Sequence, residues 1–374
     1  MDGRPLRVCL FPGTLGSGGV TRNMFRLAAA MREQGVAVDL FTTRTTDAAA
    51  PTVPPGIDVV MSGASVRSCL LPLRRHIRST RPSAVIAART YINIVAAAAA
   101  RTSGVRPIVI ATERTVASVE ALHDPRRVHG LVRFLRELAY PFVDHVVAVS
   151  PAVEDDLLAS APRWASRVQV IPNPIVSKHL PRAAALPIDR SIAERIAEFS
   201  PLLVSVGRFT AAKDQRTLLA AFAKMRAKFP SAGVVLVGEG SLRKDLATYS
   251  ARLGISEAVV MPGFLQNPLP LMRAADVFVQ SSRWEGLPTV LVEALALGTR
   301  VVATDCPGVA DVLGGGQFGT LAPVGDADAL ARAIECELHQ PRVASDLMAS
   351  ADRFRADRVA RQYVDLITRS GDGV

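Results

Sequence analysis

Four cysteines in 374 residues are few, and Cys9, Cys69, Cys306 and Cys336 show no paired spacing. A disulfide scaffold is therefore excluded, and with only six scattered histidines no zinc pattern forms either. A reduced, cytosolic compartment fits this usage. Aromatic residues make up only 5% of the chain, with two Trp and four Tyr, and no recognised nucleic-acid motif is present. The longest apolar run, Ile92–Ala100, is flanked by Arg89 and Arg101. It falls far short of the roughly 20 apolar residues that a spanning helix needs. The start, MDGRPLRVCLF, passes from a short polar stretch straight into a strand, so no signal peptide is expected. No internal repeat is visible at a period of about 20–50 residues.

What is present is the composition of a globular protein, with 49% hydrophobic and 21% charged residues. The length predicts two domains. The net charge of +10 is unevenly spread. Residues 1–180 hold 22 Lys/Arg against 13 Asp/Glu, a surplus of nine, whereas the remainder holds 22 against 21. An anionic membrane surface or an acidic ligand would exploit the basic first half. Nucleic acid is the weakest of the possible partners.

In order, LRVCLF (6–11) reads as a buried strand, Gly13–Gly19 as a glycine-rich loop, Val20–Glu33 as a helix and Val36–Phe41 as the next strand. This βαβ unit predicts a parallel sheet. In the loop, Gly13 and Gly18 are followed by Gly19 where a P-loop has Lys, and Gly16-x-Gly18 lacks the third glycine of a dinucleotide fingerprint. A side-chain-free turn at a helix N-terminus remains, either a tight turn only or a place where phosphate meets backbone N–H groups. Two basic, partly apolar segments follow, 67–82 and 126–138. Each reads as a surface helix or as a helix lying on an anionic bilayer. VIPNPI (170–175) closes the first half, and 176–187 reads as a linker. A second βα series begins at 200, and residues 342–368 read as helical, the last helix running over roughly 355–368. The fold class is α/β, with two Rossmann-like domains.

The stretch SSRWEGLPTVLVEALALG (281–298) carries an anomaly. Pro288 reads as the first helical residue and Gly298 as the stop. Between them Val290, Leu291, Val292, Leu295 and Leu297 leave no polar face, so the helix should be buried. Yet Glu293 lies inside it, and Glu285 sits in the loop before it. A buried carboxylate needs a hydrogen-bond partner or a charge. It is either a core ion pair or backbone cap, or a ligand group suited to a ribose diol. Ligands of open parallel sheets bind at the carboxyl ends of strands. There lie Gly207-Arg208 with Lys213 five residues on, Gly238-Glu239-Gly240, Gly263-Phe264 and Ser281–Glu285. Arg208 and Lys213 are either solvated loop cations or a diphosphate clamp.

Together these strings resemble a known family: VGRFTAAKD (206–214), LVGEGSLRKDL (236–246), PGF (262–264) and SRWEGLPTVLVEALALGTRVVATDCPG (282–308). They are similar to the retaining glycosyltransferases of family four, with the GT-B architecture of two Rossmann-like domains across a cleft. Glu285 and Glu293 match that family's E-x7-E signature, GSGGVTRN (16–23) its glycine-rich loop and IPNPI its interdomain border. The resemblance covers most of the chain and is dense over 204–325.

The resemblance implies an acceptor-binding domain at 1–180, completed by a C-terminal crossover helix at about 355–374, and a nucleotide-sugar domain at 188–354. It implies that Arg208 and Lys213 hold the donor diphosphate and that Glu293 binds the ribose. Glu285 would sit at the donor sugar, with Gly286, Leu287, Pro288 and Thr289 contacting it. Gly18 and Gly19 would pack on the phosphate side, and Gly263 and Phe264 would complete the donor site. ATERTVAS (111–118) looks like an element of a subgroup that builds surface polysaccharides and lipid-linked glycans. Glu113 and Arg114 would then join Glu285 at the reaction centre, or pair with each other internally. The implied enzyme is a retaining hexosyltransferase of polysaccharide or lipopolysaccharide biosynthesis. It needs no metal and no cofactor, and its co-substrate is most simply a UDP-sugar, with GDP-mannose next. It would be cytoplasmic or peripheral on the inner membrane's cytoplasmic face. A nucleotide-sugar epimerase of the same architecture and a non-catalytic scaffold subunit are the alternatives.

Overall fold

The computed structural model describes residues 6–16, 18–45, 53–63, 65, 67–119 and 128–371. The chain divides into two units, Met1–Ser177 with Phe354–Val374, and Lys178–Arg353.

The first unit holds a seven-stranded sheet in the order β3-β2-β1-β4-β5-β6-β7. Its strands are β1 (Arg7–Leu15), β2 (Ala37–Thr45), β3 (Asp58–Met61), β4 (Ala84–Ala88), β5 (Ile108–Glu113), β6 (His145–Ala148) and β7 (Val168–Val170). Every pairing is parallel, with Val8 opposite Val38 on one side and Ala84 on the other. Parallel strands need crossovers that cover both faces, so their residues are apolar in continuous runs. β4 is buried at every position. Val8 and Leu10 face the helices Gly19–Glu33 and Ala356–Gly371, through Met24, Leu27, Met31, Val359, Tyr363 and Ile367. Cys9 and Phe11 face the opposite side, under Leu73 and Ile77 of Leu70–Thr80 and Ile92 and Ala96 of Thr90–Thr102. Burial pushes the Cys9 thiol far above its ordinary value.

The second unit holds a six-stranded parallel sheet in the order β10-β9-β8-β11-β12-β13. Its strands are β8 (Leu202–Val206), β9 (Gly233–Val237), β10 (Val259–Gly263), β11 (Val277–Gln280), β12 (Val301–Thr304) and β13 (Thr320–Ala322). Leu218, Leu219, Phe222 and Met225 of the Gln215–Met225 helix form its core with Leu330 and Ile334 of Ala327–His339.

Two sequence expectations give way, and a third gains detail. The run 342–368 is two helices, Ala344–Ser350 and Ala356–Gly371, separated by a 3-10 turn at Ala351–Phe354. The break has a partner: Ile175 and Val176 donate their N–H groups to the Phe354 carbonyl, and Ala356 donates to the Val176 carbonyl. These bonds replace helix continuation, and Val176 and Arg355 form a parallel bridge. The supposed linker contains the helix Leu180–Ala184, with Leu180 and Ala184 buried and the Ala183 carbonyl accepting from Asn267 Nδ2 at 2.8 Å. Pro288 is the N-cap residue of the Thr289–Ala296 helix rather than its first helical residue.

Both sheets reverse their strand order beside the first strand, between β1 and β4 and between β8 and β11. Such switch points open a crevice outside the carboxyl ends of the strands. In the first unit the loop through Gly16 and Gly18 follows β1, and Arg89 follows β4. In the second, Gly207-Arg208 follows β8 and Ser281–Glu285 follows β11.

Candidate functional site

The second switch point is built by backbone lacing. Gly207 N–H donates to the Val237 carbonyl, Gly238 N–H to that of Gly263, and Phe209 N–H to that of Glu239. Gly238 has φ +146°, and a Cβ there would lie 2.0 Å from the Gly207 carbonyl oxygen. Only glycine lets the ends of β8 and β9 come this close. Asp214, in a left-handed conformation, caps the Gln215–Met225 helix through Thr217, whose hydroxyl donates to it at 2.8 Å. The same carboxylate accepts from Arg283 Nε at 2.9 Å, and Ser281 Oγ donates to the Asp214 carbonyl at 2.9 Å. The loop carrying Lys213 is thus fastened to the loop after β11.

At their junction Lys213 Nζ donates to Glu285 Oε1 in an ion pair. The same oxygen accepts from Gln280 Nε2 at 2.9 Å and Ser282 Oγ at 2.7 Å. Three donors on one oxygen fix the rotamer of Glu285. Cys306 lies beside the pair: burial first, then the Glu285 carboxylate, push its thiol up to about 12. It is an inert neighbour rather than a nucleophile. Gly308 (φ +82°) lets the chain after β12 pass under Gly286, whose carbonyl oxygen would be 2.4 Å from an added Cβ.

Arg208 is exposed, and its carbonyl accepts from Gln215 Nε2 at 3.0 Å. Its guanidinium therefore projects from a fixed backbone. Glu293 is 2% exposed, within a helix whose Leu291, Val292, Ala294 and Leu295 are also buried. Gly286, Leu287 and Pro288 are buried, and Thr289 opens the helix. Gly263 has φ +90° at the end of β10, and Phe264 beyond it is exposed. The β8 and β11 loops therefore bring Lys213 and Glu285 together, while Gly263 ends β10 and Phe264 follows it on the same edge.

The amino-terminal candidates belong to the other unit. Gly18 is the N-cap of the Gly19–Glu33 helix. Glu113 is expected at a reaction centre or paired with Arg114, but it is turned inward and only 6% exposed. Its carboxylate accepts from Tyr140 OH, from Thr90 Oγ1 at 2.9 Å and from Asn93 Nδ2 at 3.3 Å. Burial, the largest influence, raises its pKa against these donors and the charge of Arg136. Burial and the Glu113 charge raise Tyr140 well above the ordinary tyrosine value. Arg114 instead donates to Thr112 Oγ1 at 3.3 Å and to Asn173 Oδ1 at 2.5 Å.

Gln280 and Asp214 escape sequence reasoning, whereas Ser282 lies within the strand end that the sequence marks. Gln280 closes an apolar strand and is 4% exposed, with its Oε1 lacking a hydrogen-bond partner. A polar residue ending a buried strand two positions before a Ser and five before a Glu is the signal that could have found it.

Two family models cover nearly the whole chain, Glycosyltransferase Family 4 over residues 17–178 and Glycosyl transferases group 1 over 190–353. The lipopolysaccharide core biosynthesis glycosyltransferase LpsE of Rhizobium meliloti is 32% identical over 192 residues, 51% of this chain and 53% of that one. The N-acetylgalactosamine-N,N'-diacetylbacillosaminyl-diphospho-undecaprenol 4-alpha-N-acetylgalactosaminyltransferase of Campylobacter jejuni is 27% identical over 246 residues, 65% of this chain and 64% of that one. The matches thus span less than two thirds of either relative's length. Among solved structures, Anabaena HepE in complex with UDP-glucose aligns with a TM-score of 0.81 at 21% identity, over 97% of this chain and 100% of that one. That likeness gives the fold, a two-domain α/β architecture of the GT-B type. By its two matched halves, this chain belongs to the group 1, family 4 glycosyltransferases.

Proposed function

We propose that this chain transfers a sugar from a UDP-sugar to a lipid-linked or surface-glycan acceptor, with retention and without a metal. The observation that carries the reading is the Lys213–Glu285 pair at the β8/β11 switch point. A diphosphate arriving there competes with Glu285 for Lys213, and Arg208 supplies a second cation. These groups take up the charge that grows on the leaving diphosphate. Glu285 is held by Gln280 and Ser282 whether or not Lys213 stays with it, so the carboxylate keeps its place when a diphosphate arrives, and on this reading its second oxygen serves the donor sugar. Glu293 accepts the ribose hydroxyls. Phe264 offers an exposed ring face to the base. Glu113 enters as internal support rather than a reacting group. HepE, solved with UDP-glucose, supports a UDP-linked donor, and the names of the two relatives support the acceptor class.

The test is a panel of UDP- and GDP-sugars screened for thermal stabilisation, because a ligand bound only by the folded state raises its melting point. A UDP-sugar at about a hundred times its Kd adds roughly 2.7 kcal/mol. The expected result is a rise of several degrees with a UDP-sugar and less with GDP-sugars. No rise with any nucleotide sugar rejects the reading.

The basic first half also fits an anionic membrane surface. Among the described residues no helix is long and apolar enough to cross a membrane. Leu71, Phe134, Leu138 and Phe142 are exposed, the first on a helix that also carries Arg74, Arg75 and Arg78. The protein is expected to sediment with anionic vesicles at low salt and not with neutral ones; equal binding to both removes the membrane from this account.

A further inference from the structure

We infer that Arg89 and Arg114 together form a receptor for a phosphate group of the acceptor. The inference rests on the acceptor class proposed above and extends it by naming the chemistry that the first unit recognises.

The two arginines follow neighbouring strands. Ala88 and Thr112 are paired residues of β4 and β5, with Arg89 next after one and Arg114 two beyond the other. β4 borders the switch point of the first sheet, so both residues stand at the carboxyl-end edge where open parallel sheets take their ligands.

Neither guanidinium forms an ion pair among the described residues, and the Glu113 charge reaches Arg114 only as the weakest of four influences. Arg89 donates to Tyr91 OH at 3.3 Å. Arg114 donates to Thr112 and Asn173, both neutral. Glu113, next in sequence to Arg114, spends its oxygens on Tyr140, Thr90 and Asn93. The two cations also feel each other. Burial is the first cause that lowers the pKa of Arg114, Tyr363 opposes it, and the charge of Arg89 lowers it further, ahead of the opposing charge of Glu113. A partly buried cation beside a like charge is relieved by an incoming anion.

The backbone keeps Arg89 in place. It adopts φ +89°, a conformation that residues other than glycine rarely hold. Its N–H donates to the Thr112 carbonyl at 3.3 Å, and its carbonyl accepts from Ile92 and Asn93 at the start of the Thr90–Thr102 helix. Arg89 is thus fixed against the strand that leads to Arg114. Two planar forks suit a phosphate, whose oxygens are enough for both, better than a carboxylate, which fills one.

Geranyl diphosphate is a soluble probe of this chemistry, titrated in the presence of saturating UDP so that the donor site is occupied. Inorganic pyrophosphate and geraniol separate the phosphate from the lipid contribution. The expected result is that Arg89→Gln and Arg114→Gln each weaken geranyl diphosphate binding at least tenfold, with UDP affinity changed less than twofold. Arg89→Lys should retain more affinity than Arg89→Gln, and geraniol should not discriminate wild type from the variants. Unchanged geranyl diphosphate affinity in Arg89→Gln overturns the proposal, and so does wild type failing to bind the probe. An equal loss of UDP affinity overturns it too, because the pair would then serve the donor. Arg89 is exposed, so its variant carries the test if Arg114→Gln fails to fold. Wild type that binds geranyl diphosphate but not UDP rejects the donor reading and leaves the arginine pair standing.

Discussion

Lys213→Ala should lower kcat/KM by about 10²–10³, the usual effect of removing one donor that stabilises developing negative charge. Ground-state affinity for UDP should fall by less, about ten- to a hundredfold, because one charge-assisted hydrogen bond is worth about 1.5–3 kcal/mol. The difference between these effects separates a transition-state contact from a simple binding contact. The fold should survive, since Glu285 keeps its bonds from Gln280 and Ser282. Glu285→Gln provides the control. It removes the charge that holds Lys213 but leaves the ammonium available to a diphosphate, so UDP affinity should hold while turnover drops. Isothermal titration with UDP and initial rates with the donor found in the thermal screen measure both. A Lys213→Ala enzyme with UDP affinity within threefold of wild type would sink the phosphate-clamp assignment.

Arg342→Ala has the largest expected cost in stability. Glu337 is fully buried near the end of the Ala327–His339 helix, where the helix dipole disfavours a negative charge. Arg342 meets it with two bonds, Nε to Oε1 at 2.8 Å and one terminal nitrogen to Oε2 at 3.0 Å, while Thr320 Oγ1 donates to Oε2 at 2.5 Å. The other guanidinium nitrogen donates to the Gln317 carbonyl at 2.5 Å. Removing the arginine strands a buried carboxylate, at a cost of about 3–5 kcal/mol. The melting transition of the second unit should fall by roughly 10 °C. The hydrogen bond to Glu337, ahead of opposing burial, raises the pKa of Arg342. A raised cationic pKa stabilises at every pH below it, so Arg342 itself stays charged throughout the working range. Replacing both residues, Glu337→Leu with Arg342→Leu, should recover most of the loss. A double variant as unstable as Arg342→Ala would mean that the cost lies in the lost packing and the Gln317 bond, not in the stranded charge.

The residues that sequence exposed best share one property: they break a pattern locally. Gly207-Arg208, Gly263-Phe264 and Ser281–Glu285 each end an apolar strand, and Glu293 interrupts an apolar helix. Nothing distant is needed to notice them. What sequence hid depends on partners far along the chain. The inward turn of Glu113 is imposed by Thr90, Asn93 and Tyr140, which come from two other elements. The break at Ala351–Phe354 is caused by Ile175 and Val176, and a helical pattern cannot report a competitor so far away. Gln280 reads as one more strand residue until Glu285 is seen folded back against it. The Asp214–Arg283 bond, which fastens two loops, is equally invisible from local spacing.

The first unit is made of two separate lengths of chain, and this sets an order for its completion during synthesis. Val359, Ala360, Tyr363 and Ile367 belong to the core that Met24, Leu27 and Met31 share, yet the whole second unit is translated between them. Until the final helix leaves the ribosome, the Gly19–Glu33 helix has an uncovered apolar flank, while Lys178–Arg353 already has every residue of its own core. The amino-terminal half, made first, is therefore finished last.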